Sequence, residues 1–291
     1  MPDRNMIFVC GVTGRQGGAV ARALLHDTWS VRGLSRDPSR REAQELQRMG
    51  VEVVRGDMGS RDDLEEHMQG CHGVFSVQNF WECGVEEEVR QGRLVAAVAK
   101  DVGVEHLVYS SVGGAELRTG VPHFESKWEI EQYIADLHLA ATILRPVFFF
   151  ENFCSPPLVD GIDNGVLSLP MKPDRPLQMI ATRDIGALAA MAFSRPEQFT
   201  GKAIEIAGDE LTLPEAAEAI GATLGRTVRF QEMPMETMAS FNLDMAEMFA
   251  WFNETGYSAN IAALRELYPP LQDFRAWLAQ SPLAQRTPRA A

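Results

Sequence analysis

Ile7-Phe8-Val9-Cys10-Gly11-Val12-Thr13-Gly14-Arg15-Gln16-Gly17-Gly18-Ala19-Val20-Ala21 is the stretch that decides the fold. A short apolar run reads as a buried strand, and the alanine-rich segment that ends the stretch reads as the start of a helix. Between them stands G-x-x-G-x-x-G. Glycines at that spacing permit a tight turn and let backbone N–H groups close on a pyrophosphate, which rests on the positive end of the following helix. A glycine triplet alone carries little weight. Placed between a strand and a helix at the head of an alternating chain, it predicts a dinucleotide site.

The alternation continues outward from that loop. Apolar runs at 7–10, 30–34, 51–54, 73–77, 106–109 and 141–144 are separated by helix-period segments at 17–27, 38–49, 61–69, 85–102 and 123–137. Strands and helices alternating at this spacing predict a Rossmann-type doubly wound parallel α/β sheet. Asp37-Pro38 is expected to open the second helix, with Pro at its first position. The beat breaks after Arg145-Pro146 at the aromatic cluster Phe148 to Phe153, which reads as core at a junction. Residues 1–147 are therefore expected to form the dinucleotide-binding domain, joined by 177–207 returning to the sheet. Residues 148–176 and 208–283 are expected to form a smaller, mostly helical domain, with helices at 214–224, 236–252 and 274–279. The methionines of that region read as core filler. The last residues, from Ser281 and in particular 284–291, are expected to be a frayed tail.

Asp plus Glu number 40 against 27 for Lys plus Arg, a net charge of −13. That balance, without a basic helix, argues against a protein that grips phosphodiester backbones. Only Lys100, Lys127, Lys172 and Lys202 are lysines, so the basic chemistry is almost wholly arginine. No apolar run is long enough for a bilayer, and Met6 to Cys10 is too short for a secretory core. Four cysteines without C-x-x-C spacing suit a reducing compartment, and the expected location is cytoplasmic. The histidines at 26, 67, 72, 106 and 138 stand singly, so no metal site is expected. Glu86-Glu87-Glu88 reads as a solvated run at a helix start.

The residues after the second strand choose between two dinucleotides. An acid there suits the ribose hydroxyls of NAD, and a cation suits the 2′-phosphate of NADP. The chain reads Ser35-Arg36-Asp37-Pro38, with Arg40 and Arg41 one turn on and Arg15 inside the glycine loop. A guanidinium fork matches a phosphate bidentately, so NADP(H) is favoured, with Asp37 read as a cap before Pro38. Gly56-Asp57-Met58 is placed for the adenine edge; the alternative makes Asp57 a cap for the helix near Ser60.

Beyond the glycine loop, Asn79-Phe80-Trp81-Glu82, Glu88-Val89-Arg90-Gln91-Gly92, His123-Phe124-Glu125-Ser126-Lys127 and Phe149-Phe150-Glu151-Asn152-Phe153 follow in that order. On this set, from about residue 5 to 280, the chain resembles the NmrA-like family of atypical short-chain dehydrogenase/reductase relatives, and within it the redox-sensor type. The resemblance implies that Gly11, Thr13, Gly14, Arg15, Gln16, Gly17, Arg36, Asp57, Met58, Gln78, Asn79, Phe80, Arg90, Lys127, Phe149, Phe150 and Asn152 line the cofactor. It also implies two kinds of behaviour. One is NADP(H)-dependent signalling through a protein partner or a homodimer; the other is reduction of a small apolar quinone or enone.

Short-chain reductases place Tyr-x-x-x-Lys on the helix after the fifth strand and a serine at the end of that strand. This chain keeps Ser110, Ser111 and Lys127, but His123 stands at the tyrosine position. Four-residue spacing puts His123 and Lys127 on one helix face. Lys127, His123 and Ser111 are thus the catalytic candidates. A lysine beside His123 disfavours the imidazolium, and the missing tyrosine favours the regulator over the reductase.

Overall fold

A computed structural model describes residues 3–286 of the chain. The chain divides into two compact units. The first comprises 3–116, 122–145 and 182–204; the second 117–121, 146–181 and 205–286.

In the first unit β1 (Asp3–Val9), α1 (Arg15–His26), β2 (Ser30–Ser35), α2 (Arg41–Arg48), β3 (Glu52–Arg55) and α3 (Arg61–Met68) alternate as expected. They are followed by β4 (Cys71–Ser76), α4 (Phe80–Asp101), β5 (His106–Ser110), α5 (Pro122–Asp136) and β6 (Ala141–Pro146). After an excursion into the second unit, α6 (Thr182–Ser194) and β7 (Ala203–Ile206) return. The sheet order is β7-β6-β5-β4-β1-β2-β3, and the pairs from β6 to β3 run parallel. The order reverses between β1 and β4, and in such sheets a ligand crevice opens outside the carboxyl ends of the strands at that reversal. Those ends carry the glycine loop, Val77-Gln78, Ser35-Arg36 and Ser110-Ser111. A core of Phe8, Leu34, Leu64, Val74, Val95, Leu107, Tyr109 and Ile130 fills one side of the sheet. Its residues are continuous apolar runs because both faces of a parallel sheet are covered.

Two local expectations are corrected here. Pro38 does not open a helix. The Asp37 carboxylate accepts from Ser39 N–H at 3.0 Å and from Ser39 Oγ at 2.5 Å, closing an Asx-turn, and α2 starts only at Arg41. Asp and Ser side chains offer the backbone this alternative to a helical start. The segment 177–207 also divides. Thr182–Ser194 and Ala203–Ile206 return to the first unit's helices and sheet, whereas Pro176–Ile180 pairs antiparallel with Asp209–Thr212 and parallel with Phe148–Phe149. A four-residue apolar run reports burial, and its pairing partner is set elsewhere in the chain.

The second unit joins short strands to helices. Val166–Leu169 pairs parallel with Arg229–Glu232, and Leu213–Leu224 is closed at its start by a Thr212/Glu215 capping box. The single helix expected over 236–252 is two, Met235–Phe241 and Leu243–Glu254. Asn242 breaks them with extended backbone (φ −158°, ψ 110°) and caps the second through Met245 N–H at 2.9 Å. The tail expected from Ser281 is packed as far as it is described. Leu283 is buried and Arg286 pairs with Asp163, while Thr287 to Ala291 lie outside the described residues. Among the described residues no helix is long and apolar enough to cross a membrane.

Candidate functional site

The glycine loop is shaped by backbone contacts within itself. Gly11 takes a left-handed φ of +59°, and Gly14 N–H donates to its carbonyl at 2.8 Å. Gly17 faces the same turn. A Cβ there would overlap the Gly11 carbonyl, lying 2.6 Å from its carbon and 2.8 Å from the Cys10 oxygen. Gly14 then caps α1 with no side-chain hydrogen bond, and no acid stands in the first turn. A helix start left without a cap or an acid offers its N–H groups and positive dipole end to an anion. These features fit a pyrophosphate. Gln16, in the same turn, accepts from Ser110 Oγ at 2.6 Å, which ties the loop to the end of β5. Gln78, beyond β4, donates to Ser76 Oγ at 3.0 Å and leaves its buried Oε1 without a protein partner. A buried acceptor of this kind, one residue from the Val77 that backs Gly11, is one a ligand donor would satisfy.

Arg36 emerges from the end of β2 and donates to Glu82 Oε2 at 2.7 Å, with both side chains largely exposed. Glu82 was not anticipated as a partner. It lies in the turn Phe80–Cys83, which Gly84 (φ 77°, ψ 176°) separates from the regular part of α4. Asn79 stands exposed before that turn without a side-chain cap bond, and Phe80 is buried. Arg40 and Arg41 are drawn to Asp37 and Glu45. Exposed Arg15 and half-buried Thr13 flank Gly14.

Asp57 is not a helix cap. Its Oδ1 accepts from Gly59 N–H at 2.7 Å, and Ser60 caps α3 instead. Met58 packs against the core of the first unit. Arg90 is engaged by Glu87 at 2.6 and 2.7 Å and by the Gly59 carbonyl at 3.1 Å. Phe149, Phe150 and Asn152 belong to the second unit. There Phe150 is fully buried against Phe274 and Trp277, with ring centroids at 5.2 and 5.4 Å.

The second half of the site is a charged cluster between α4 and α5. Lys127 Nζ donates to Glu88 Oε1 at 2.8 Å, and Ser126 Oγ donates to the other carboxylate oxygen. Glu88 is fully buried, so the expectation of a solvated acidic run is corrected for this residue. A period of 3.6 puts Glu88 on the same face as the buried Gly92, Val95, Ala96 and Ala99. That periodicity is the signal by which the sequence marks Glu88 as interior. Ser111 serves a different network. Its hydroxyl donates to Glu131, which also holds Arg145 at 2.7 and 3.0 Å, and Arg145 reaches Glu116 at 2.6 Å. Tyr109 lies in the hydrophobic core, where burial pushes its phenol upward.

His123 is buried among Phe80, Trp81 and Phe124, with centroids 4.9–5.2 Å away, and its Nδ1 has no hydrogen-bond partner. Burial, reinforced by the Lys127 charge, pushes its pKa down to about 3. His106, which meets Thr142 Oγ1 at 2.9 Å, is pushed down to about 4, chiefly by burial. Both imidazoles are neutral at pH 7, so His123 is not a cationic acid there. A histidine that protonates more readily in the unfolded chain lends stability above its ordinary pKa and loses it as pH falls toward the folded value. The unfolding free energy from denaturant titrations should therefore decline from about pH 6.5 to 5, by up to about 1.4 kcal/mol per pH unit for each histidine. In His123→Phe, which keeps an aromatic ring in the cage, the decline should be shallower. An unchanged slope in that variant would show that His123 does not contribute to the decline.

Comparison with known proteins shows what the whole chain is similar to. The model of the NmrA-like family matches residues 3–278. An NmrA-like family domain-containing protein of Dictyostelium discoideum is 31% identical over 266 residues, covering 86% of this chain and 88% of that protein. The (4-alkanoyl-5-oxo-2,5-dihydrofuran-3-yl)methyl phosphate reductase of Streptomyces griseus is 31% identical over 287 residues, covering 94% and 97%. Among solved structures, NmrA, a negative transcriptional regulator in complex with NADP, superposes with a TM-score of 0.82 at 20% identity, covering 95% of this chain and 94% of that one. At that identity the likeness is one of fold.

Proposed function

This chain belongs to the NmrA-like family, and from that premise we propose that it binds NADP(H) along the glycine loop and acts as a dinucleotide-reading regulator. The observation that carries the reading is the pairing of Arg36, at the ribose end of the loop, with Glu82 on a turn hinged at Gly84. A 2′-phosphate drawn to Arg36 changes what holds that turn. Dinucleotide occupancy thereby reaches an exposed surface that includes Trp81, where a protein contact would read it. The pyrophosphate would rest on the open start of α1, and Gln78 Oε1 would accept from the bound molecule.

The catalytic arrangement of the wider reductase group is incomplete. A neutral, buried His123 replaces the tyrosine, and Ser111 gives its hydroxyl to Glu131. A second reading, an NADPH-dependent reductase of a quinone or enone, is supported by the Lys127 ammonium, which sits on the same helix face as His123. The named activity of the Streptomyces relative supports it too. NADPH supplies a hydride when bound; the chain's own contribution would be the proton of Lys127.

Titration separates the outcomes. Arg36→Ala is expected to weaken NADP(H) by about tenfold or more, in keeping with a lost charge-assisted contact of about 1.5–3 kcal/mol, and to change NAD(H) less than about threefold. Equal losses would refute the placement of the 2′-phosphate. Tight NADPH binding without oxidation across a quinone and enone panel is expected of the regulator. Turnover across that panel that falls steeply in a folded Lys127→Ala/Glu88→Gln protein would establish the reductase instead.

A further inference from the structure

We infer that Glu82 is a specificity-determining residue that sets how strongly the site prefers NADP(H) over NAD(H); the inference rests on the NADP(H) site proposed above. Its carboxylate lies 2.7 Å from a terminal nitrogen of Arg36, so it holds one arm of the guanidinium fork that a 2′-phosphate would need. The other cations near the end of β2 do not share this position. Arg40 faces Asp37 and Arg41 is bound to Glu45, while the Asp37 carboxylate is turned into its own loop by Ser39. Arg36 and Glu82 therefore form a local two-charge unit, and each ribose form meets it differently.

A phosphate with up to two charges and three acceptor oxygens binds the fork bidentately and outcompetes one exposed carboxylate, because exposed ion pairs hold weakly. Displaced, Glu82 remains tethered to the same short turn and repels the incoming charge. NAD(H) presents an uncharged 2′-hydroxyl. It leaves the ion pair intact and can donate a hydrogen bond to the Glu82 carboxylate. Glu82 thus narrows the preference for NADP(H) that Arg36 creates. It also makes release of the Phe80–Cys83 turn a property of the phosphorylated dinucleotide, since only a charged competitor takes Arg36 from its partner. The non-helical backbone at Gly84 lets that turn move without unwinding the helix behind it.

The test measures Kd for NADP(H) and NAD(H), side by side, in the full chain, Glu82→Gln, Arg36→Ala and the double variant. Glu82→Gln is expected to tighten NADP(H) about 3–10-fold, the scale on which one nearby like charge acts at a solvated site. The same change should leave NAD(H) equal or weaker. In the double variant the gain over Arg36→Ala should be smaller than in the parent, because the competition for Arg36 is gone and only the like-charge repulsion is relieved. An unchanged or smaller NADP(H)-to-NAD(H) preference in Glu82→Gln, while Arg36→Ala still loses NADP(H), overturns this inference and leaves the site standing. Loss of neither dinucleotide in Arg36→Ala overturns the site assignment, and this inference with it.

Discussion

Lys127→Ala is expected to destabilise the protein by about 3–5 kcal/mol, the usual consequence of removing one partner from a buried ion pair. Glu88 is fully buried, and Lys127 Nζ lies 2.8 Å from one of its oxygens. With the lysine gone, a carboxylate remains between α4 and α5 with, among the described residues, only the Ser126 hydroxyl to answer it. Adding Glu88→Gln to the same chain removes the stranded charge and should recover most of the loss, so the double-mutant cycle should show strong coupling. Chemical denaturation of the four proteins measures this. If Lys127→Ala unfolds within about 1 kcal/mol of the parent, or if Glu88→Gln brings no recovery, the pair does not organise the helix contact. NADPH titration of the recovered double variant then separates the two roles of Lys127. A stable protein with weakened NADPH binding places Lys127 at the nicotinamide ribose, and a stable protein with unchanged binding confines it to structure.

The same cluster shows where sequence reading succeeds and where it stops. The alternation of strands and helices was legible because burial on both faces of a parallel sheet leaves continuous apolar runs, and crossover helices separate them at regular spacing. The glycine loop was legible because backbone approach restricts residue type directly. Arg36 was legible as a cation at the end of β2. Its partner was not, since Glu82 comes from the turn after β4, 46 residues away. Ser111 looked like a strand-end polariser because the reductase pattern has a serine there. Only the structure reveals that Glu131 takes its hydroxyl within a buried Ser111–Glu131–Arg145 network, which Arg145 extends to the exposed Glu116. Glu88 lies between these cases: three consecutive acids suggest solvent, but helical phase turns only the third inward. The pairing of Pro176–Ile180 with Asp209–Thr212 was hidden for a related reason. A short apolar run has the same composition whichever sheet it joins.

Gly17→Ala tests the loop itself, and its expected effect on binding exceeds that of any side-chain change near it. The added methyl would overlap the Gly11 carbonyl and lie within 2.8 Å of the Cys10 oxygen, and both neighbours are backbone. Neither can rotate away, so the loop must lift off the start of α1 or α1 must shift. Overpacking of this kind costs about 1–3 kcal/mol. At this chain length that corresponds to a fall in Tm of roughly 2–4 °C per kcal/mol. The effect on dinucleotide binding should be larger than the effect on stability. The N–H groups of the turn act together on one anion, and a displacement near 1 Å takes several of them out of hydrogen-bond range at once. Binding of both NADP(H) and NAD(H) is therefore expected to weaken by about 100-fold or more, two charge-assisted contacts at about 1.5–3 kcal/mol each. Unlike Arg36→Ala, the loss should be the same for the two dinucleotides, because the pyrophosphate is common to both. Far-ultraviolet circular dichroism and Tm establish that the variant is folded, and calorimetric titration reads the affinities. A folded Gly17→Ala protein that binds NADP(H) within about threefold of the parent would show that the pyrophosphate does not lie on this turn.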